Sequence, residues 1–147
     1  MPEPLPTFRA DVVTLFGKYL PRHGVVCDIV GKAGKGELVD GAYASQWRPA
    51  VQSSRVRQEW AFFKLCMRRI FAAKKEQCDL IQVRDMVSTG LFAMLLARWK
   101  GIPFAYWVSF LMSEGRIARA RAEIAAGGGR RYHVVLLKGL IERFLLY

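Results

Sequence analysis

Apolar residues recur at three- and four-residue spacing through Val12, Leu15, Phe16 and Tyr19, the period of an amphipathic helix. We expect that helix over Phe8 to Leu20, capped by Thr7 and ended by Pro21 and Gly24. Prolines among residues 2–6 exclude a central strand before it. Val25 to Val30 reads as a strand, and the alternating lysines and glycines of Gly31 to Gly36 read as loop. A short strand near Leu38 to Ala44 fits the ambiguous stretch that follows. From Ser54 to Gln77 the period returns, with Trp60, Phe62, Phe63, Cys66, Met67, Ile70 and Phe71 on one broad face, which we expect to be core.

The clearest pattern comes next. Leu80, Ile81 and Val83 mark a strand within Asp79 to Asp85. Ser88 or Thr89 then caps a nearly all-apolar, and so buried, helix over Gly90 to Lys100, and Gly101 takes the left-handed position that stops it. Ile102 to Val108 is a second strand. A strand, a helix and a strand in about thirty residues make a parallel β-α-β unit, whose crossover is nearly always right-handed. The apolar stretch from Leu91 to Met112 is broken by Arg98, Lys100, Gly101 and Pro103, so it is no membrane span. Ser113 caps a further helix rich in Arg and Ala, Gly127 to Gly129 break it, and Val134 to Tyr147 forms a last apolar helix. There is no internal repeat. The order of elements predicts one α/β domain over residues 1–147, a parallel sheet flanked by helices.

Composition changes the picture in one respect. The 147 residues are 52% hydrophobic, enough for a core, yet carry 23 Lys and Arg against 12 Asp and Glu, a formal net charge of +11. Such an excess bears on partners, not on fold. Arg57, Lys64, Arg68 and Lys75 fall within roughly 40° of arc on the Ser54–Gln77 helix, a basic stripe suited to an anionic membrane surface or to plain solvation. The aromatics of that helix, read as core, argue against a base-stacking platform, and no nucleic-acid partner is expected. Cys27, Cys66 and Cys78 form neither a disulfide framework nor a metal-ligand spacing. With no secretory signal at Met1 to Pro6, a cytoplasmic chain, peripheral at the inner face of the membrane, is expected.

In open α/β sheets ligands bind beyond the carboxyl ends of the strands. Two loops lie there, one with Arg84, Asp85, Met86 and Ser88, the other with Ser109, Phe110, Ser113 and Glu114. Helix N-termini beside them favour a phosphate or a sugar oxygen. Asp85 and Glu114 would accept hydrogen bonds from hydroxyls, and Arg84 would hold a phosphate. Each has a plainer reading: Ser88 and Ser113 as caps, Glu114 as a dipole partner, Arg84 and Asp85 as a local ion pair. Gly31 and Gly36 have the outer spacing of a P-loop, but Glu37 stands where the lysine is needed. His23 and His133 have no carboxylate orienter nearby in sequence, so a histidine triad is not expected.

The run Cys78-Asp79-Leu80-Ile81-Gln82-Val83-Arg84-Asp85, a small-residue helix start, and Ala97-Arg98-Trp99-Lys100-Gly101-Ile102-Pro103-Phe104 resembles the N-terminal domain of family 4 glycosyltransferases. The order of elements over Pro2 to Val30 is similar, so the resemblance covers most of the chain. It implies one Rossmann-like half of a GT-B fold, the acceptor-side half, with a parallel sheet flanked by helices. It also implies an enzyme that moves a sugar from a nucleotide-sugar donor to a glycan or lipid-linked glycan. The donor would bind a C-terminal domain that these residues do not encode, and the family's first strand is missing before Pro2. This chain alone is therefore expected to be inactive, with no cofactor or metal of its own. Many members place a histidine after the strand matching Phe104 to Val108; here Ser109 and Phe110 stand instead, and no catalytic residue is assigned. The alternative is a non-catalytic basic α/β module on anionic membrane or nucleic acid.

Overall fold

The computed structural model of the chain describes residues 2, 4–7, 9–38, 43–109 and 112–146, with the side chains of residues 112, 145 and 146 left out. It is a mixed α/β structure. In chain order the elements are β1 (Pro4–Leu5), α1 (Asp11–Tyr19, continued by the short turn Leu20–Arg22), β2 (Asp28–Val30), β3 (Lys32–Ala33), β4 (Ser45–Trp47) and α2 (Arg55–Ala72). Then follow β5 (Ile81–Arg84), α3 (Val87–Lys100), β6 (Phe104–Trp107), α4 (Met112–Ala125) and α5 (Arg131–Leu146).

The described strands pair in parallel, but as three separate two-stranded ladders: β1 with β3, β2 with β4, and β5 with β6. The pair β5–β6 runs in register from Ile81 opposite Phe104 to Arg84 opposite Trp107. α3 joins them, so the β-α-β unit read from the sequence is present, with strands shorter at both ends than the apolar runs indicated. Gly101 ends α3 at φ 67°, the left-handed position expected of it.

Two apolar clusters stand out among the described residues. One gathers Ile70 of α2, Ile81 and Val83 of β5, Ala93 and Ala97 of α3, and Ile102. The second is smaller: Leu5, Val12 and Ile29, with Phe16, Cys27 and Tyr43 around them. Alanines face the sheet from α3 because a parallel crossover helix lies close to its strands. Gly90 shows how close, since a Cβ there would sit 2.6 Å from the Tyr106 ring.

Several expectations need correction. α1 begins at Asp11 without a side-chain cap, and the Thr7 hydroxyl instead accepts the Arg9 N–H at 3.3 Å. The helix is wound wide, with the Leu20 N–H reaching the Leu15 carbonyl. Pro21 lies inside its final turn, and Gly24, at φ 77°, makes the stop. Phe8 lies outside the described residues. β2 is limited to Asp28–Val30, leaving Val25 and Val26 exposed. Lys32–Ala33, read as loop, pairs with the proline segment in a two-residue ladder. Of the stretch near Leu38 to Ala44, residues 39–42 lie outside the described residues, and the strand that forms is Ser45–Trp47.

α2 has the expected Ser54 cap, whose Oγ accepts the Arg57 N–H at 3.2 Å. It ends at Ala72, however, so Lys75 sits in the following turn and not on the helix. The polar run Lys74 to Gln77 offers no apolar face to pack, and a helix without one gains little from continuing. α3 starts at Val87 with Met86 in the capping position, so neither Ser88 nor Thr89 caps it. Nor is α3 buried all round: Phe92, Met94, Leu95 and Trp99 are exposed. Ser113 is inside α4, not before it. Among the described residues no helix is long and apolar enough to cross a membrane.

Candidate functional site

β5 ends on Arg84, a charged residue only 6% exposed. A buried charge needs partners, and the fold supplies them from three directions. Its Nε donates to the Ser109 hydroxyl at 2.8 Å, two residues past the end of the β6 ladder. Its Nη1 forms an ion pair with Asp11, from the first turn of α1. Its Nε lies 3.5 Å from the Asp85 carboxylate, and the guanidinium carbon lies 5.4 Å from the centre of the Trp107 ring.

Asp85 is the turning point. Its N–H donates to the Trp107 carbonyl at 3.1 Å, which extends the β5–β6 ladder by one bond. Its backbone then swings to φ 51°, the left-handed region that aspartate tolerates better than most residues. The swing brings Oδ1 back to accept the Ser109 N–H at 2.7 Å. One aspartate thus closes the mouth of the strand pair from both sides.

Arg9 adds a second guanidinium, donating to Asp11 through Nε at 3.2 Å and Nη2 at 3.4 Å. Two arginines and two aspartates make the cluster neutral. Partial burial would raise the Asp11 pKa, but the hydrogen bonds and charges of Arg84 and Arg9 outweigh it and hold the carboxyl below its usual range. Beneath the cluster the Tyr106 phenol is pushed up to about 12, first by burial and then by the charges of Asp85 and Glu142. It is a neutral hydroxyl at any physiological pH.

Of the seven binding residues read from the sequence, Arg84, Asp85 and Ser109 converge. Ser88 is exposed on the first turn of α3. Ser113 is 1% exposed, and its Oγ has no hydrogen-bond partner among the described residues. Glu114 faces Arg143 of α5 at 3.4 Å, an ion pair between helices. Phe110 lies outside the described residues. Arg84 has Nε committed to Ser109 and Nη1 to Asp11, so it serves as the counter-ion that orients the two aspartates. Asp11, Trp107 and Tyr106 were missed. Trp107 stands next to last in the strand expected to end at the mouth and could have been found there; nothing in the sequence links Asp11 to Arg84.

A cavity of about 420 Å³ lies elsewhere, among Leu5, Val12, Thr14, Lys18, Tyr43 and Gln46. Its walls are mainly apolar, and the Tyr43 hydroxyl already donates to the Val12 carbonyl at 3.1 Å. A cluster of charged groups with a perturbed pKa marks a candidate site, so the Asp85 mouth is kept as the candidate. Among the described residues no three His, Cys, Asp or Glu side chains gather as metal ligands would. Of the basic stripe, Arg57, Lys64 and Arg68 are exposed on α2, while Lys75 lies in the turn beside Gly101. No family model, curated protein or solved structure matches this chain.

Proposed function

We propose that this chain forms the acceptor-side half of a GT-B glycosyltransferase, its three parallel ladders belonging to one Rossmann-like sheet. The observation that carries the reading is the convergence of Arg84, Asp85 and Ser109 just beyond the carboxyl ends of β5 and β6. That is where open α/β sheets bind ligands. Asp85 keeps carboxylate lone pairs beyond the one given to Ser109, and a carboxylate held between a guanidinium and a backbone N–H is a fixed acceptor for a sugar hydroxyl. The family resemblance of Cys78 to Phe104 supplies the reaction class. The nucleotide-sugar donor belongs to a second domain in this reading, and the chain alone binds acceptor without turning it over.

The test is a binding screen of the 147-residue protein against glycans and lipid-linked glycans, read by NMR shift changes, beside an assay for transfer from nucleotide sugars. We expect acceptor-induced shifts at Asp85 and Ser109, lost in Asp85→Asn, and no transfer. Asparagine tolerates the same backbone region, so the substitution isolates the charge. Sugar transfer by the isolated chain would overturn the half-site assignment. Shifts of equal size in Asp85→Asn would overturn the role of the mouth.

A further inference from the structure

The outer surface of α2 and α3 does not behave as the sequence pattern indicated. Phe62, Cys66 and Ile70 of α2 point inward, but Trp60 and Phe71 do not. Trp60 is 56% exposed and stacks on Phe63 with ring centres 5.6 Å apart. Phe63 meets Phe92 of α3 edge-on, also at 5.6 Å. Further along α3, Leu95 and Trp99 are 52% and 75% exposed. Lys100 caps the last carbonyls of α2, donating to Phe71 and Ala73 at 2.8 Å each, so the two helices run side by side in the same direction.

At 100° per residue, Trp60, Phe63 and Phe71 fall within roughly 80° of arc on α2, and Phe92, Leu95 and Trp99 within roughly 60° on α3. Two apolar stripes therefore lie side by side, joined at Phe63 and Phe92. Charge borders them on one sign only. α2 carries five Arg and Lys and α3 two, against one carboxylate, Glu59, which is paired with Lys32. Arg57, Lys64 and Arg68 continue around α2 directly from the apolar stripe, and Arg98 flanks that of α3. Lys64 lies 5.4 Å from the Trp60 ring centre, so cation and aromatic share one edge.

We infer that this α2–α3 face docks on an anionic lipid bilayer, with Trp60, Phe92 and Trp99 entering the interface and Arg57, Lys64, Arg68 and Arg98 against the headgroups. Tryptophan favours that boundary because its ring is apolar and its N–H stays wet. The one-sided charge selects the occupant. A second copy would bring the same unbalanced cations against each other, whereas anionic headgroups neutralise them. The inference does not depend on sugar transfer and survives the failure of that reading.

The experiment is co-sedimentation of the 147-residue protein with vesicles of phosphatidylcholine alone and of phosphatidylcholine with phosphatidylglycerol, with tryptophan fluorescence recorded alongside. We expect binding to the anionic vesicles only, weakened by salt, with a blue-shifted emission. Trp60→Ser with Trp99→Ser should weaken binding roughly tenfold or more, equivalent to about 1.4 kcal/mol. Removing Arg57, Lys64 and Arg68 together as glutamines should weaken it on the order of a hundredfold, from about fivefold per cation. Arg119→Gln with Lys138→Gln, exposed on α4 and α5, should leave it unchanged. All these side chains are exposed, and circular dichroism of each variant is to be recorded to check that the fold is kept. The inference is overturned if the tryptophan pair has no effect while the α4–α5 pair weakens binding as much as the α2 cations do. That pattern is unspecific adsorption of a cationic protein. It is equally overturned if no vesicles are bound and the protein is a dimer with Trp60 and Trp99 shielded, which makes the face a contact between copies.

Discussion

The β5–α3–β6 unit and the N-terminal strand pairs are both parallel, yet they are held by different means. β5 and β6 share four residue pairs, and α3 lies against them through Gly90, Ala93 and Ala97, a contact of apolar atoms with no room to spare. β1 and β3 share two pairs, and an arginine serves them where apolar contact is thin. Arg48 donates from Nη1 to the carbonyls of Leu5 at 2.8 Å and Gly34 at 3.1 Å, and from Nη2 to that of Gly36 at 2.7 Å. Where strands are too short to bury a face, a guanidinium fork collects the carbonyls that a longer ladder would have paired. The two regions meet at Arg84 with Asp11 and at the Phe16 and Trp107 rings, 6.1 Å apart.

Arg84→Met should break the comparison altogether, because it leaves Asp11 and Asp85 without their shared cation. Loss of one partner from a buried ion pair costs about 3–5 kcal/mol. Urea unfolding of the variant should show that loss, with N-terminal amides exchanging first. A cost below about 1 kcal/mol would mean that the two regions are independent.

Gly90→Ala tests the apolar region alone. The new methyl would overlap the Tyr106 ring, which sits inside the β5–β6 pair and has little room to swing away. We expect about 1–3 kcal/mol of destabilisation by overpacking, measured by the same unfolding curves. Arg48→Gln tests the polar region. Removing three hydrogen bonds from a half-exposed fork should cost about 1–2 kcal/mol and raise amide exchange around β1 and β3, not around β5 and β6. Uniform exchange changes would contradict the division of labour.

The smallest effect is in acid. Asp11 titrates below its unfolded value of 3.8, so its ion pairs add stability above that pH and lose it as pH falls through the folded value. Stability measured from about pH 5 downward should therefore decline less steeply in Asp11→Asn than in the wild type. Parallel declines would remove Asp11 from the cluster.

Local signals were readable in the sequence where local physics decides. Ser54 caps α2 because its hydroxyl reaches a free N–H three residues on, and Gly101 ends α3 because a left-handed residue is needed there. The β-α-β order could be read because a helix between two apolar runs leaves few alternatives. Asp85 and Ser109 could be placed at the mouth for the same reason. What failed was direction. Trp60 and Phe71 have the helical period of core residues, but period alone does not say whether a partner layer exists to receive them. Asp11 was invisible because an ion pair between distant elements leaves no mark at either position in sequence. The wide winding of α1 likewise has no sequence signature that we can identify.

Arg84 also bears on how the molecule comes apart. Two small cores in one chain can open locally, each with its own free energy. A single guanidinium that reaches Asp11 on one side and Ser109 on the other makes the opening of either region cost the ion pair that joins them. The penalty falls on the half-open state and not on the fully unfolded chain, where water solvates every group. Such a side chain contributes cooperativity out of proportion to its share of net stability, because it lowers the population of the half-open state.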